Sequence, residues 1–261
     1  MHSKIHLWQW PNILSLDAAL VAVAWQLALA QGLNGTIELA ASFVLGLSVW
    51  LSYSADRLFD VARRPADQLL SARHSFAKKH QSKLWSIWAL VLIANLSLAV
   101  SALNTEQLMR GSLLLALCLA YNLCNQILSR RFFPKEACVA LIFTGGVLVF
   151  QTKILPLDFA CFFALLCLGN CLAVGVKEKL IDAEMQIHSL APMVTERWLG
   201  PSLLLLHLFV ILAGPVTGIP LSLSFLGLGI LYLLRTRLPV EAFRVLADSW
   251  LILPPLVYLI T

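Results

Sequence analysis

Charge is scarce in this chain. Only 13% of its 261 residues are Asp, Glu, Lys or Arg, against 59% hydrophobic, and the mean hydropathy is +0.82. So little charge cannot cover a water-soluble globular surface, which leaves a polytopic helical membrane protein as the reading. No CxxC pair occurs among Cys118, Cys124, Cys138, Cys161, Cys167 and Cys171, and all six fall in or beside apolar runs. They are expected to be small packing residues and indicate neither disulfides nor zinc. The stretch "MHSKIHLWQWPNILSLDAAL" has one Lys ahead of its apolar segment and no small-residue cleavage site before a soluble domain. Its apolar segment is therefore expected to be a retained span. Paired helices broken by Gly and Pro, which mark transporter sites, are also missing.

What is there is a series of apolar runs. A hydrocarbon core of about 30 Å needs about 20 apolar residues per helix. On that basis the chain divides into nine predicted spans: Leu14 to Gln31, Ile37 to Ser54, Leu84 to Ala102, Gly111 to Leu128, Ala137 to Gln151, Leu157 to Val176, Leu199 to Ala213, Leu221 to Leu234, and Ala242 to Ile260. The expected fold is all-α, a single transmembrane domain over residues 1–261.

The connections alternate in charge. "QGLNG", "SALNTEQLMR", "QTKILP" and "GPVTGIP" carry only Arg110 and Lys153 as cations. The other 17 of the 19 Lys and Arg lie at the N-terminus, in the loops after spans two, four, six and eight, or at the span ends that meet them. The positive-inside rule puts the N-terminus and these loops in the cytoplasm, with Thr261 opposite; a bacterial cytoplasmic membrane is the expected location. The net charge of +5 and pI near 9.0 thus follow from topology, and nucleic acid is not an expected partner.

Two stretches on that face concentrate acid. In "SYSADRLFDVARRP", Ser52 to Pro65, Asp56 and Asp60 are four residues apart, hence on one face if span two continues as a helix past Ser54. A helix from Thr36 to Asp60 would be about 37 Å long, placing the pair at the mouth of the bundle. Like charges at this spacing cost about 0.2–0.5 kcal/mol and need compensation. Asp60 can find it in Arg63 or Arg64, whereas Arg57 is adjacent to Asp56 and points elsewhere. The other compensation is a divalent cation, since Mg²⁺ takes oxygen ligands, commonly one or two carboxylates together with substrate phosphates.

In "VKEKLIDAEMQIHSLA", Glu178 and Asp182 repeat the spacing at the end of span six, and Glu184 falls on another face within reach of His188. Lys177 and Lys179 could simply balance these acids. On the same side stand Arg63, Arg64, Arg73, Lys78, Lys79, Arg130, Arg131 and Lys135, for several of which topology and anionic headgroups account. Four carboxylates among several cations also suit a diphosphate with Mg²⁺: the metal bridges acid to phosphate, and guanidiniums take the remaining oxygens. Tyr121, Asn122 and Asn125 make one side of span four polar. Asn95, Asn170, Asp17 and Asp248 are expected to face the interior as structural hydrogen-bonding groups. His74 and His80, in "RHSFAKKHQ", are expected to be solvated loop residues.

Taken in order, these stretches resemble the UbiA superfamily of membrane-embedded prenyltransferases, from span two through span seven. The family's NDxxDxxxD motif, followed by a basic stretch with RP, corresponds to "SYSADRLFD" followed by "ARRP". Its DxxxD motif corresponds to "EKLID", with "HSLA" at the expected distance, and its Tyr then Lys/Arg signature to Tyr121 and "SRRFFP". Ser52 and Tyr53 replace the family's Asn-Asp, Glu178 replaces an Asp, and Gln186 stands at a Gly position. The resemblance implies a nine-helix bundle with a central cavity open to the cytoplasm and laterally to lipid. It implies an isoprenyl diphosphate and a lipid-soluble acceptor as substrates, and Mg²⁺ as cofactor. Asp56 and Asp60 would hold one Mg²⁺, and Glu178 with Asp182 would hold or orient another. Arg64, Arg73, Arg130, Arg131 and Lys177 would bind diphosphate, with Tyr121 as a hydrogen-bond donor. The changed first motif equally suits a relative that binds a prenyl diphosphate or lipid, or scaffolds a partner, without turnover.

Overall fold

A computed structural model describes residues 5–62, 71–128, 134–151, 156–184, 190, 193 and 196–261. Among them the fold is all-α. A short helix α1 (Trp10–Ile13) meets α2 (Leu16–Gly32) at a bend of 78°, and Ser15 turns the chain there with φ of 57°. Such a bend strips helix-end carbonyls of their donors. Side chains of α3 (Leu39–Ala62) replace them: the Trp50 indole donates to Leu14 O at 2.8 Å, and the Arg57 guanidinium donates to Asn12 O and Ile13 O.

Then follow α4 (Ala72–Lys79), α5 (Gln81–Ala102), α6 (Thr105–Leu128), α7 (Lys135–Leu148), α8 (Leu157–Glu184), α9 (Glu196–Ala213), α10 (Gly218–Leu233) and α11 (Val240–Ile260). Each predicted span coincides with one of α2, α3 and α5 to α11. Among the described residues six helices are long and apolar enough to cross a membrane, or seven if the bent α1–α2 pair is one span. The chain is thus an integral multi-pass membrane protein. The 14-residue α7 and 16-residue α10 are the short members. α10 is mostly buried, so its ends meet protein more than lipid and a full bilayer length is not demanded of it.

The main core gathers Trp25 of α2, Phe159 and Phe163 of α8, Phe225 and Leu228 of α10, and Phe243 of α11. A second cluster joins α2 and α3 through Ala22, Val44 and Leu45, with Phe143 of α7 packed against it. Asn95, buried on α5, donates to Ser48 Oγ at 2.9 Å and ties α5 to α3. All six cysteines are free thiols. The charged ends of α3, α4 and α8 meet at one end of the bundle, where Arg73 pairs with Glu178 and Lys179 with Glu196.

Candidate functional site

The α3 helix continues past Ser54 to Ala62, which places Asp56 and Asp60 one turn apart on one face. Asp56 Oδ1 is buried and has no hydrogen-bond partner among the described residues. Arg57, Arg73 of α4, Asn125 of α6 and Lys135 of α7 lie within its electrostatic reach. Asp60 is half-buried.

The second arm is helical as well, because α8 runs eight residues beyond the predicted end of its span, to Glu184. Glu178 is buried, and its carboxylate pairs with Arg73 at 3.3 Å and with Arg244 of α11. Arg73, 105 residues earlier in the chain than Glu178, thus stands between the two acidic arms. Beyond Arg244 a polar network crosses the bundle. Arg244 donates to Asn12 Oδ1 at 3.3 Å, and Asn12 Nδ2 donates to Asp17 Oδ2 at 2.6 Å and to Asp248 Oδ2 at 3.4 Å. Asn170 Nδ2 donates to Asp248 Oδ1 at 3.3 Å. Asp17, Asp248 and Asn170 therefore serve interior hydrogen bonds, as their sequence positions suggest.

Tyr53 is 37% exposed, although Tyr121 of α6, Cys167 and Cys171 of α8 and Asp248 of α11 all lie within electrostatic reach of it. The Tyr53 ring meets Phe143 edge-on at 6.4 Å, and the aromatic series continues through Phe163 to Trp25. Tyr121 is half-buried, near Asp56 and Asp60.

Not every predicted residue joins this site. Lys177 Nζ donates to Arg235 O at 2.6 Å, ahead of α11. Arg64, Arg130 and Arg131 lie outside the described residues, and so does the side chain of Asp182, whose backbone belongs to α8. Among the described residues, no three His, Cys, Asp or Glu side chains converge as a metal-ligand set. The expectation of solvated histidines is corrected for His74. It is 7% exposed, within α4, and its Nδ1 lies 2.7 Å from the hydroxyl of the capping residue Ser71. The helix start at Ser71 draws the imidazole inward.

Sequence reasoning missed Arg244 and Glu136. A guanidinium inside a predicted span was the available signal for Arg244. Glu136, buried at the start of α7, accepts the Leu190 N–H at 3.1 Å and so holds the backbone of Leu190. Nothing in its spacing distinguishes it from a loop-end acid.

No protein-family profile and no curated protein matches the sequence. The fold is similar to a solved structure described as the apo structure of a UbiA homolog from Aeropyrum pernix K1. The TM-score is 0.63 at 14% identity, over 93% of this chain and 98% of that one. The architecture is thus that of a UbiA-like helical bundle.

Proposed function

We propose that the protein is a membrane-embedded prenyltransferase. It transfers an isoprenyl group from an isoprenyl diphosphate to an aromatic or other lipid-soluble acceptor, with Mg²⁺ as cofactor, in a nine-span bundle whose site opens to the cytoplasm. The observation that carries the reading is the position of Arg73, which pairs with Glu178 of one arm and lies within reach of Asp56 of the other. A cation flanked by carboxylates at the end of an apolar bundle suits an anionic head with a lipid tail.

Asp56 and Asp60 fit a hard cation. A buried carboxylate oxygen without a protein donor is the ligand Mg²⁺ takes, and two carboxylates leave coordination positions for phosphate oxygens and water. Glu178, buried between the guanidiniums of Arg73 and Arg244, would with Asp182 hold or orient a second ion. When bound, Mg²⁺ neutralises charge on the diphosphate oxygens. Arg73 binds the other oxygens, with Arg64, Arg130 and Arg131 as further candidates, and Tyr121 donates a hydrogen bond. Negative charge grows on the leaving diphosphate as the allylic C–O bond breaks, and cations fixed there stabilise that state most. The isoprenyl chain is placed along Tyr53 and Phe143, which keep water from the allylic carbon.

Purified protein with Mg²⁺ and labelled isoprenyl diphosphates, assayed for diphosphate release with candidate acceptors, tests the reading. Acceptor-dependent release that Asp56→Ala abolishes is expected. Turnover surviving Asp56→Ala together with Asp182→Ala overturns these roles. The second reading, binding without turnover, is favoured by Ser52 and Tyr53. Ser52 Oγ donates to Ser48 O at 3.0 Å and the Tyr53 ring packs on Phe143, so neither adds a carboxylate to the site. Mg²⁺-dependent binding with no release would select it.

A further inference from the structure

The residues ahead of α2 carry their polarity the wrong way round for a segment bathed in water. Leu7 is 89% exposed, and Trp8 and Trp10 are exposed as well. The polar Asn12 is buried instead, and its side chain bonds Asp17, Asp248 and Arg244. We propose that Leu7–Ile13, the 3₁₀ turn Leu7–Gln9 together with α1, is an interfacial anchor. It lies along the membrane surface at the charged end of the bundle, with Leu7 and Trp8 seated in the boundary between lipid headgroups and acyl chains.

The bend separates lying on a membrane from crossing it. At 1.5 Å per residue the segment is about 10 Å long, and inclined at 78° to α2 it adds about 2 Å to the height of that helix. It contributes almost nothing to a crossing, which the 17-residue α2 makes alone. Its depth is set by α3. Arg57 donates to Asn12 O and Ile13 O, and two residues further on Phe59 meets Trp85 edge-on at 5.3 Å, near the start of α5. Trp10 meets Phe76 of α4 edge-on at 5.5 Å, and α4 leads through His80 into α5. The segment thus stands level with Lys83 and Trp85 at one end of a spanning helix, the depth at which indoles and ammonium groups collect.

The outward face identifies the occupant. It continues into Leu16 and Leu20 of α2, both exposed, and exposed apolar positions on a spanning helix face lipid. Tryptophan suits the edge of that layer because its ring is apolar and its N–H polar. A soluble protein partner would need the face clear of lipid, and the tie to α3 holds it at the edge of the lipid. The inner side of the anchor meets the turn of α3 that carries Asp56, because Arg57 bonds the α1 carbonyls. Seating in the interface therefore braces that turn at the membrane boundary. The anchor requires the membrane fold and not the reaction proposed above.

Tryptophan quenching tests the anchor without a label. The protein is reconstituted in nanodiscs of phosphatidylcholine whose acyl chains carry bromine either near the glycerol or near the methyl end, and the emission of Trp8 is the difference between the parent protein and Trp8→Phe. Bromine near the glycerol is expected to quench that difference about twofold more than bromine near the methyl end, since interfacial segments sit about 5–10 Å into the headgroup and acyl boundary. Aqueous iodide is expected to quench it less than either. Equal or stronger quenching by the deeper bromine would make the segment part of a crossing. Quenching by iodide and by neither bromine would expose it to water, and quenching by none of the three would bury it against protein. Each of these results overturns the anchor and leaves the proposed function standing. Trp10→Phe, read in the same way, decides the matter independently if Trp8→Phe fails to fold.

Discussion

The indole N–H of Trp25 donates to the carbonyl of Leu251 at 2.8 Å, and the reason lies four residues further along α11. Pro255 has no N–H to offer that carbonyl. Of the two consecutive prolines in α11, Pro254 and Pro255, α2 thus supplies the donor that Pro255 lacks. Trp25 is fully buried, so water cannot take its place. Trp25→Phe keeps the ring and removes the donor, and is expected to cost about 1–3 kcal/mol, read as a lower unfolding midpoint in detergent. Trp88→Phe should cost less. Its indole donates to Leu51 O at 2.9 Å, and that carbonyl sits within unbroken α3 and keeps a helical partner.

A close approach of α10 to α11 yields a second expectation. A Cβ at Gly227 would lie 2.1 Å from the ring of Trp250, so the two helices must separate or the indole must move. Gly227→Ala is expected to cost about 1–3 kcal/mol through overpacking. Gly35→Ala is the control, since its nearest atom is Ala30 O at 3.5 Å, an ordinary contact. Equal thermal midpoints for the two variants would sink the argument.

What could be read from the sequence follows from period and polarity. Apolar runs located α2, α3 and α5 to α11 but neither α1 nor α4, and the reading that Asp56 and Asp60 share a face required α3 to run past Ser54, which it does. The Glu178 arm was legible for the same reason. Its partners were not. Arg244 and Glu178 come together only when α11 packs against α8, and no local pattern encodes that approach. Arg73 was legible as one cation among many on a basic face, while its place between the two arms depends on α4, a two-turn helix capped by Ser71. His74 was misread because a buried imidazole and a solvated one look alike in a polar stretch.

Lys177 provides a negative expectation. A lysine beside Glu178 in sequence invites a role in diphosphate binding, yet its ammonium donates to Arg235 O at 2.6 Å, and adjacent residues on a helix point to different faces. Lys177→Met is expected to leave inorganic pyrophosphate affinity within about twofold. A tenfold loss would place Lys177 in the anion site after all and would require its contact with Arg235 to be exchanged for the ligand.

Orientation in the membrane can be tested on α5, whose ends are flanked by Lys79 and Asn104, both exposed. At 1.5 Å per residue the 22-residue helix is about 33 Å long, enough to put those positions on opposite faces. Lys78, Lys79 and Lys83 crowd one end, whereas at the other Arg110 is neutralised by Glu106. The positive-inside rule then places Lys79 in the cytoplasm. With a membrane-impermeant maleimide, Asn104→Cys is expected to label in intact cells and Lys79→Cys only in inverted vesicles, the parent protein serving as the blank for its own cysteines. The reverse pattern would put Asp56, Glu178 and the basic residues around them on the outer face, away from a cytoplasmic supply of isoprenyl diphosphate, and the proposed reaction would fail on topology alone.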